Sequence, residues 1–87
     1  MKISTEANEF LKKLMKKRNK SGIRIGYNES STCGLSNFNL IFDHFKNGDY
    51  VKVKNGLTIY YRDDVASYLH RLYISFENGR LELRDIE

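Results

Sequence analysis

The 87 residues include no proline, no tryptophan, a single cysteine and only two histidines. One thiol cannot close an internal disulfide, which excludes a disulfide-stapled secreted scaffold and makes a reducing compartment the simpler setting. No apolar run reaches 15 residues near the N-terminus or elsewhere, so neither a signal peptide nor a membrane span is expected. These absences point to a cytoplasmic protein. Internal repeats and low-complexity tracts are also missing. The length leaves room for one domain over residues 1–87, since domains run to roughly 100 to 200 residues.

Hydrophobic content of 40% beside 30% charged residues is that of a folded domain, and six Tyr with five Phe supply its large apolar side chains. The formal charge is +4. Much of that excess lies between Lys12 and Lys20, where Lys12, Lys13, Lys16, Lys17, Arg18 and Lys20 cluster. In the same segment Ala7, Phe10, Leu11, Leu14 and Met15 follow the i, i+3, i+4, i+7 spacing of a helical stripe. A helix from about Thr5 to Arg18 is therefore expected, capped by Ser4 or Thr5 and stopped by Gly22, with that stripe as its core face.

After Gly22 the period shortens to 2, as Ile23, Ile25 and Tyr27 alternate with Arg24 and Gly26. Asn28 to Gly34 reads as a loop, and Phe38, Leu40 and Phe42 mark a second strand. Lys46 to Asp49 turns the chain. Val51 and Val53, then Leu57, Ile59 and Tyr61, form a hairpin. A three-residue loop at Lys54-Asn55-Gly56 would place Val53 opposite Leu57, keeping the apolar residues on one face. A two-residue turn at Asn78-Gly79 places Phe76 opposite Leu81 and Ile74 opposite Leu83 in a second hairpin. Between the hairpins, Asp63 or Asp64 can cap a short helix that faces Val65 and Leu69 inward. Two helices and about six strands make the fold class α+β, mostly β.

The chemistry of the side chains is sparse. Ser, His and acidic residues fall in no nucleophile spacing and no Gly-rich phosphate loop occurs, so no enzymatic activity is expected. His44 and His70 lack the i, i+4 spacing of a helical metal pair, and an N-cap accounts for Asp63 and Asp64 without catalysis. The lysine-rich helix face would suit nucleic acid or an acidic partner, but the solvated face that an amphipathic helix needs is the stronger explanation. Tyr60, Tyr61, Tyr68 and Tyr73 form no RNA-stacking motif, and nucleic acid is not expected as a partner. Cys33 stands apart. Among Ser30, Ser31, Thr32 and Gly34 it lacks the apolar neighbours of a packed cysteine, so its thiol should be accessible as a soft-metal ligand or redox group.

Taken in order, these features resemble the HesB-like family of A-type iron–sulfur cluster assembly proteins, from about Ile3 to Leu83. Ile3-Ser4-Thr5-Glu6-Ala7 is similar to the family's opening helix, and Ile23-Arg24-Ile25-Gly26 to its first long strand. Cys33 falls at the family's first cysteine, with Phe38, Leu40, Phe42 and Asp43 following at its spacing. Gly48-Asp49, Asn55-Gly56-Leu57 and Tyr68-Leu69 with Ile74 match later segments. Thr32, Gly34, Arg71 and Ser75 depart from the usual residues, and the family's Cys-Gly-Cys tail has no counterpart in these residues.

The resemblance implies a twisted β-sandwich with an N-terminal amphipathic helix and a short second helix. It also implies an accessory role in iron–sulfur cluster metabolism, with Cys33 as the sole thiolate ligand or redox thiol for iron or a cluster. A homodimer and iron–sulfur assembly or acceptor proteins are the partners it suggests. The alternative is a metal-free interaction domain that keeps the scaffold and meets an acidic partner through the basic helix face.

Overall fold

In the computed structural model, which describes residues 1–27 and 38–85, the first helix starts at the serine expected to cap it. Ser4 Oγ accepts the Ala7 N–H at 3.1 Å, and helix α1 runs Thr5–Lys17. Glu6 lies in the first turn and Lys16 and Lys17 in the last, each favourable to the helix dipole. Gly22 does not end the helix. Asn19 does, in a left-handed conformation (φ 57°), while its N–H bonds Lys16 O and the Lys20 N–H bonds Met15 O, the paired bonds of a Schellman cap. Gly22 instead opens a strand, at a point where a Cβ would lie 2.6 Å from Thr58 O and 2.9 Å from the Tyr60 ring.

The stripe on α1 is centred differently from its expected position. Ala7 and Leu11 are fully buried, whereas Phe10, Leu14 and Met15 are only half-buried. Met15 packs against the core, and Phe10 stacks on Phe76 with centroids 4.4 Å apart. Asn8 takes the remaining inward position because its Nδ2 reaches Lys54 O at 3.4 Å, so the buried amide keeps a partner.

Seven strands follow the chain among the described residues: β1 Lys2–Ile3, β2 Gly22–Tyr27, β3 Phe38–Asp43, β4 Tyr50–Lys54, β5 Leu57–Tyr61, β6 Leu72–Glu77 and β7 Arg80–Asp85. One sheet has the order β3-β2-β5-β4 and the other β1-β6-β7. β2 runs antiparallel to β3 and parallel to β5, and β1 is parallel to β6. Ile23, Ile25, Leu57 and Ile59 from the first sheet meet Leu72 and Ile74 from the second, with Ala7 and Leu11 of α1 completing the same cluster. The mostly β, α+β class read from periodicity is the one observed. No helix among the described residues is long and apolar enough to cross a membrane.

One expected register is wrong and the other right. In the first hairpin Lys54 pairs with Leu57 and Lys52 with Ile59, as a two-residue turn requires. Asn55 (φ 51°) and Gly56 (φ 82°) are both left-handed, the signature of a type I′ turn, for which Asn-Gly is the preferred dipeptide. Val51 and Val53 consequently face outward, 49% and 64% exposed. The second hairpin has Phe76 opposite Leu81 and Ile74 opposite Leu83, around Asn78 (φ 53°) and Gly79 (φ 77°).

The short second helix, α2, spans Asp63–Ala66, and a 3-10 turn follows at Leu69–Arg71. Val65 and Leu69 are buried as expected. The capping expectation fails. Arg62 holds the N-cap position with no side-chain cap bond, and Asp63 and Asp64 sit inside the first turn, where their charge favours the helix dipole.

Candidate functional site

Cys33, the one residue singled out from the sequence as a ligand, lies outside the described residues. The structure does describe the strand ends on either side of it. β2 and β3 pair through to Tyr27 opposite Phe38, and the chain between them carries Cys33. Tyr27 and Phe38 meet edge to face with centroids 5.3 Å apart, and Tyr68 stacks on Tyr27 at 5.2 Å. Phe38 and Tyr68 complete the triangle at 6.1 Å, with the Arg71 guanidinium 5.8 Å from the Tyr68 ring. Two strand residues and one from the connection between α2 and the 3-10 turn thus bring three rings together where β2 ends and β3 begins. Tyr68 reaches them because Val65 and Leu69, on either side of it, anchor its segment in the core.

The other end of β2 carries a cluster of charge. Arg24 Nε donates to Asp43 Oδ2 at 2.8 Å, while Nη1 and Nη2 clasp Asp49 at 2.6 and 2.7 Å. Asp49 also accepts the Lys46 N–H at 2.7 Å and Arg62 Nε at 3.0 Å. Its side chain has no exposed surface. The Arg24 guanidinium holds Asp49 well below the usual carboxylate range, against the opposing cost of burial, with Lys46 N–H and Arg62 helping. Arg24 likewise depresses Asp43, assisted by the His44 N–H. Arg24 itself is raised above its ordinary value, chiefly by Asp49. With every nitrogen of the Arg24 guanidinium bonded, this cluster ties the connection after β3 to β2 and to the end of β5, a positioning task rather than a reactive one.

Sequence reasoning named Asp43 and Gly48-Asp49 as motif pieces but missed Arg24, which gathers them. Arg24 looked like an ordinary outward residue of an alternating strand. The signal that could have found it was two motif acids with no cation assigned to either.

The histidine rings stay apart from this chemistry, although the His44 backbone joins the cluster through its N–H to Asp43 and its carbonyl to Arg24. His44 is exposed, with Nδ1 3.2 Å from Ser21 Oγ, and His70 is exposed in the 3-10 turn. Among the described residues no group of three His, Cys, Asp or Glu comes together to hold a metal ion. An iron–sulfur cluster held by protein wants four thiolates or near substitutes, and the chain has one thiol. Its donor set does not fit a cluster held by one chain alone.

The model of the family described as iron-sulphur cluster biosynthesis matches residues 1–86. No curated protein matches the chain. Among solved structures, the solution NMR structure of an Aquifex aeolicus protein is similar, with a TM-score of 0.67 and 21% identity over 97% of this chain and 89% of that one. At that identity the likeness shows the fold. The family match reaches further, because it takes in the cysteine loop, both hairpins and the motif acids that Arg24 binds. The chain belongs to the iron–sulfur cluster biosynthesis family, as its HesB-like motifs led one to expect, and its role lies in iron–sulfur cluster metabolism.

Proposed function

We propose that this chain is a non-enzymatic accessory protein that handles iron or an iron–sulfur cluster as cargo through Cys33 alone. The observation that carries the reading is a family match over residues 1–86 in a chain with a single cysteine, which the sequence resemblance sets at the family's first cysteine. One thiolate per chain leaves the remaining ligands to be supplied from outside: by Cys33 of a second copy, by a small thiol, or by an assembly or acceptor protein. Such a site is suited to brief custody, because ligands shared with a partner are easily exchanged. A reducing cytoplasm would keep the thiol free for this work. The aromatic triangle supports the reading, since it holds together the end of β2 and the start of β3, the two strands that flank Cys33 in the sequence.

The visible spectrum of protein purified without oxygen tests the proposal. A brown preparation with thiolate-to-iron bands, bleached by air and missing from Cys33→Ser, is the expected result. A colourless parent whose iron content equals that of the variant would contradict it.

A further inference from the structure

Helix α1 has two unlike flanks. One carries Glu6, Glu9 and Lys13 beside the Phe10–Phe76 stack, so its charges are mixed. The other borders an open hollow of about 500 Å³ between α1 and the β4–β5 turn, lined by Lys12, Met15, Lys16, Asn19, Lys20 and Gly56. No carboxylate lines this hollow, and Lys12, Lys16 and Lys20 make no ion pair among the described residues.

The turn shapes the hollow. Because Gly56 has no Cβ, the Lys12 ammonium can lie over it, 2.9 Å from where a Cβ would stand. The Schellman cap at Asn19 folds the chain so that Lys20 continues the row beyond the helix.

We infer that this hollow docks an acidic segment of a partner protein, seated with its carboxylates on Lys12, Lys16 and Lys20 and an apolar side chain on Met15. Lys12 and Lys16 stand one turn apart, about 6 Å along the axis. Carboxylates at i and i+4 of a partner helix repeat at the same distance, and those at i and i+2 of a strand at about 6.7 Å. Half-buried Met15 gives the floor an adaptable apolar contact. One observation favours carboxylates over nucleic acid: among the described residues no aromatic ring lines the hollow to stack a base. This surface does not depend on Cys33, so it stands or falls separately from the cargo proposal.

The test uses the full chain and three fluorescent probes at low salt: a helical peptide with Glu at every fourth residue, the same peptide with Gln in those places, and a uridine oligonucleotide of equal charge. Anisotropy should show binding of the Glu peptide and none of the Gln peptide. K12Q/K16Q should weaken binding about tenfold, whereas K13Q/K17Q, which removes the same charge from the other flank, should change it by less than about twofold. Thermal melts establish that both variants fold, and amide shifts in the parent should cluster at residues 12–20 and 55–57 on titration. Equal losses in the two variants would overturn the proposal by reducing the effect to net charge. Tighter binding of the oligonucleotide than of the Glu peptide, shifts centred elsewhere, or no binding of the Glu peptide would also overturn it.

Discussion

The hairpins β4–β5 and β6–β7 close with the same dipeptide in the same left-handed pair of conformations, yet they are stabilised differently. In β6–β7 the turn and the apolar pattern agree: Ile74 faces Leu83 and Phe76 faces Leu81, all in or against the core. In β4–β5 they conflict, and the turn prevails. Its register sets Lys52 beside Ile59 and leaves Val51 and Val53 in solvent. What the first hairpin lacks in matched apolar pairs it recovers at its open end. There Asp49, just before β4, is clasped by Arg24 and by Arg62, just after β5. Among the described residues, the ion pairs of the second hairpin are exposed ones of Arg84 with Glu77 and Glu82, at 3.6 and 3.7 Å, of the kind that contributes little. The lesson is that an Asn-Gly turn fixes register strongly enough to put valines outside, provided another interaction holds the strands.

The largest effects should come where the hairpins are alike. Ile59 and Ile74 are both fully buried, and truncating either to Ala should cost about 2 to 5 kcal/mol in chemical denaturation. A loss below about 1 kcal/mol for Ile59 alone would mean that the first hairpin is not joined to the common core.

Acid should separate the two hairpins. Asp43 and Asp49 are held below the ordinary value of 3.8, so the stability they contribute is complete above that value and is lost as pH falls beneath it. The thermal midpoint of the parent should therefore drop as pH falls below about 4. Asp49→Asn should lower the midpoint at neutral pH and flatten that acid dependence, whereas Glu77→Gln with Glu82→Gln should alter neither much. An unchanged acid profile in Asp49→Asn would remove the ion cluster from the explanation.

The smallest effect belongs to the misplaced valines. Val53→Thr, at a site 64% exposed, should stay within about 0.5 kcal/mol of the parent, while Leu83→Ala, on the matched face of the other hairpin, should cost more. A large loss at Val53 would indicate that its face is covered in solution.

Local rules made much of this legible. The Ser4 cap, the 3.6-residue stripe, the two-residue turn at Asn78-Gly79 and the inward Val65 and Leu69 each follow from a neighbour or two in the chain. The misses share a cause in long-range geometry. β1, with two residues, has no periodicity to detect and exists because Lys2 and Ile3 align with Tyr73 and Ile74. The Lys54 carbonyl, 46 positions away, gives Asn8 its reason to be buried. Gly22 reads as a helix stop until β5 is seen to approach it. At the site, Asp43 and Asp49 were visible as motif letters, but only folding shows them converging on Arg24. The Cys33 assignment rests on the sequence resemblance, because Cys33 lies outside the described residues.

Anaerobic reconstitution with iron and sulfide, performed side by side on the parent and Cys33→Ser, tests the central claim most directly. The account predicts labile binding in the parent at less than one cluster per chain, abolished in the variant, with the thermal midpoints of the two proteins nearly equal. Equal iron uptake by both would contradict it, since the cargo would then be held by residues other than the single thiol.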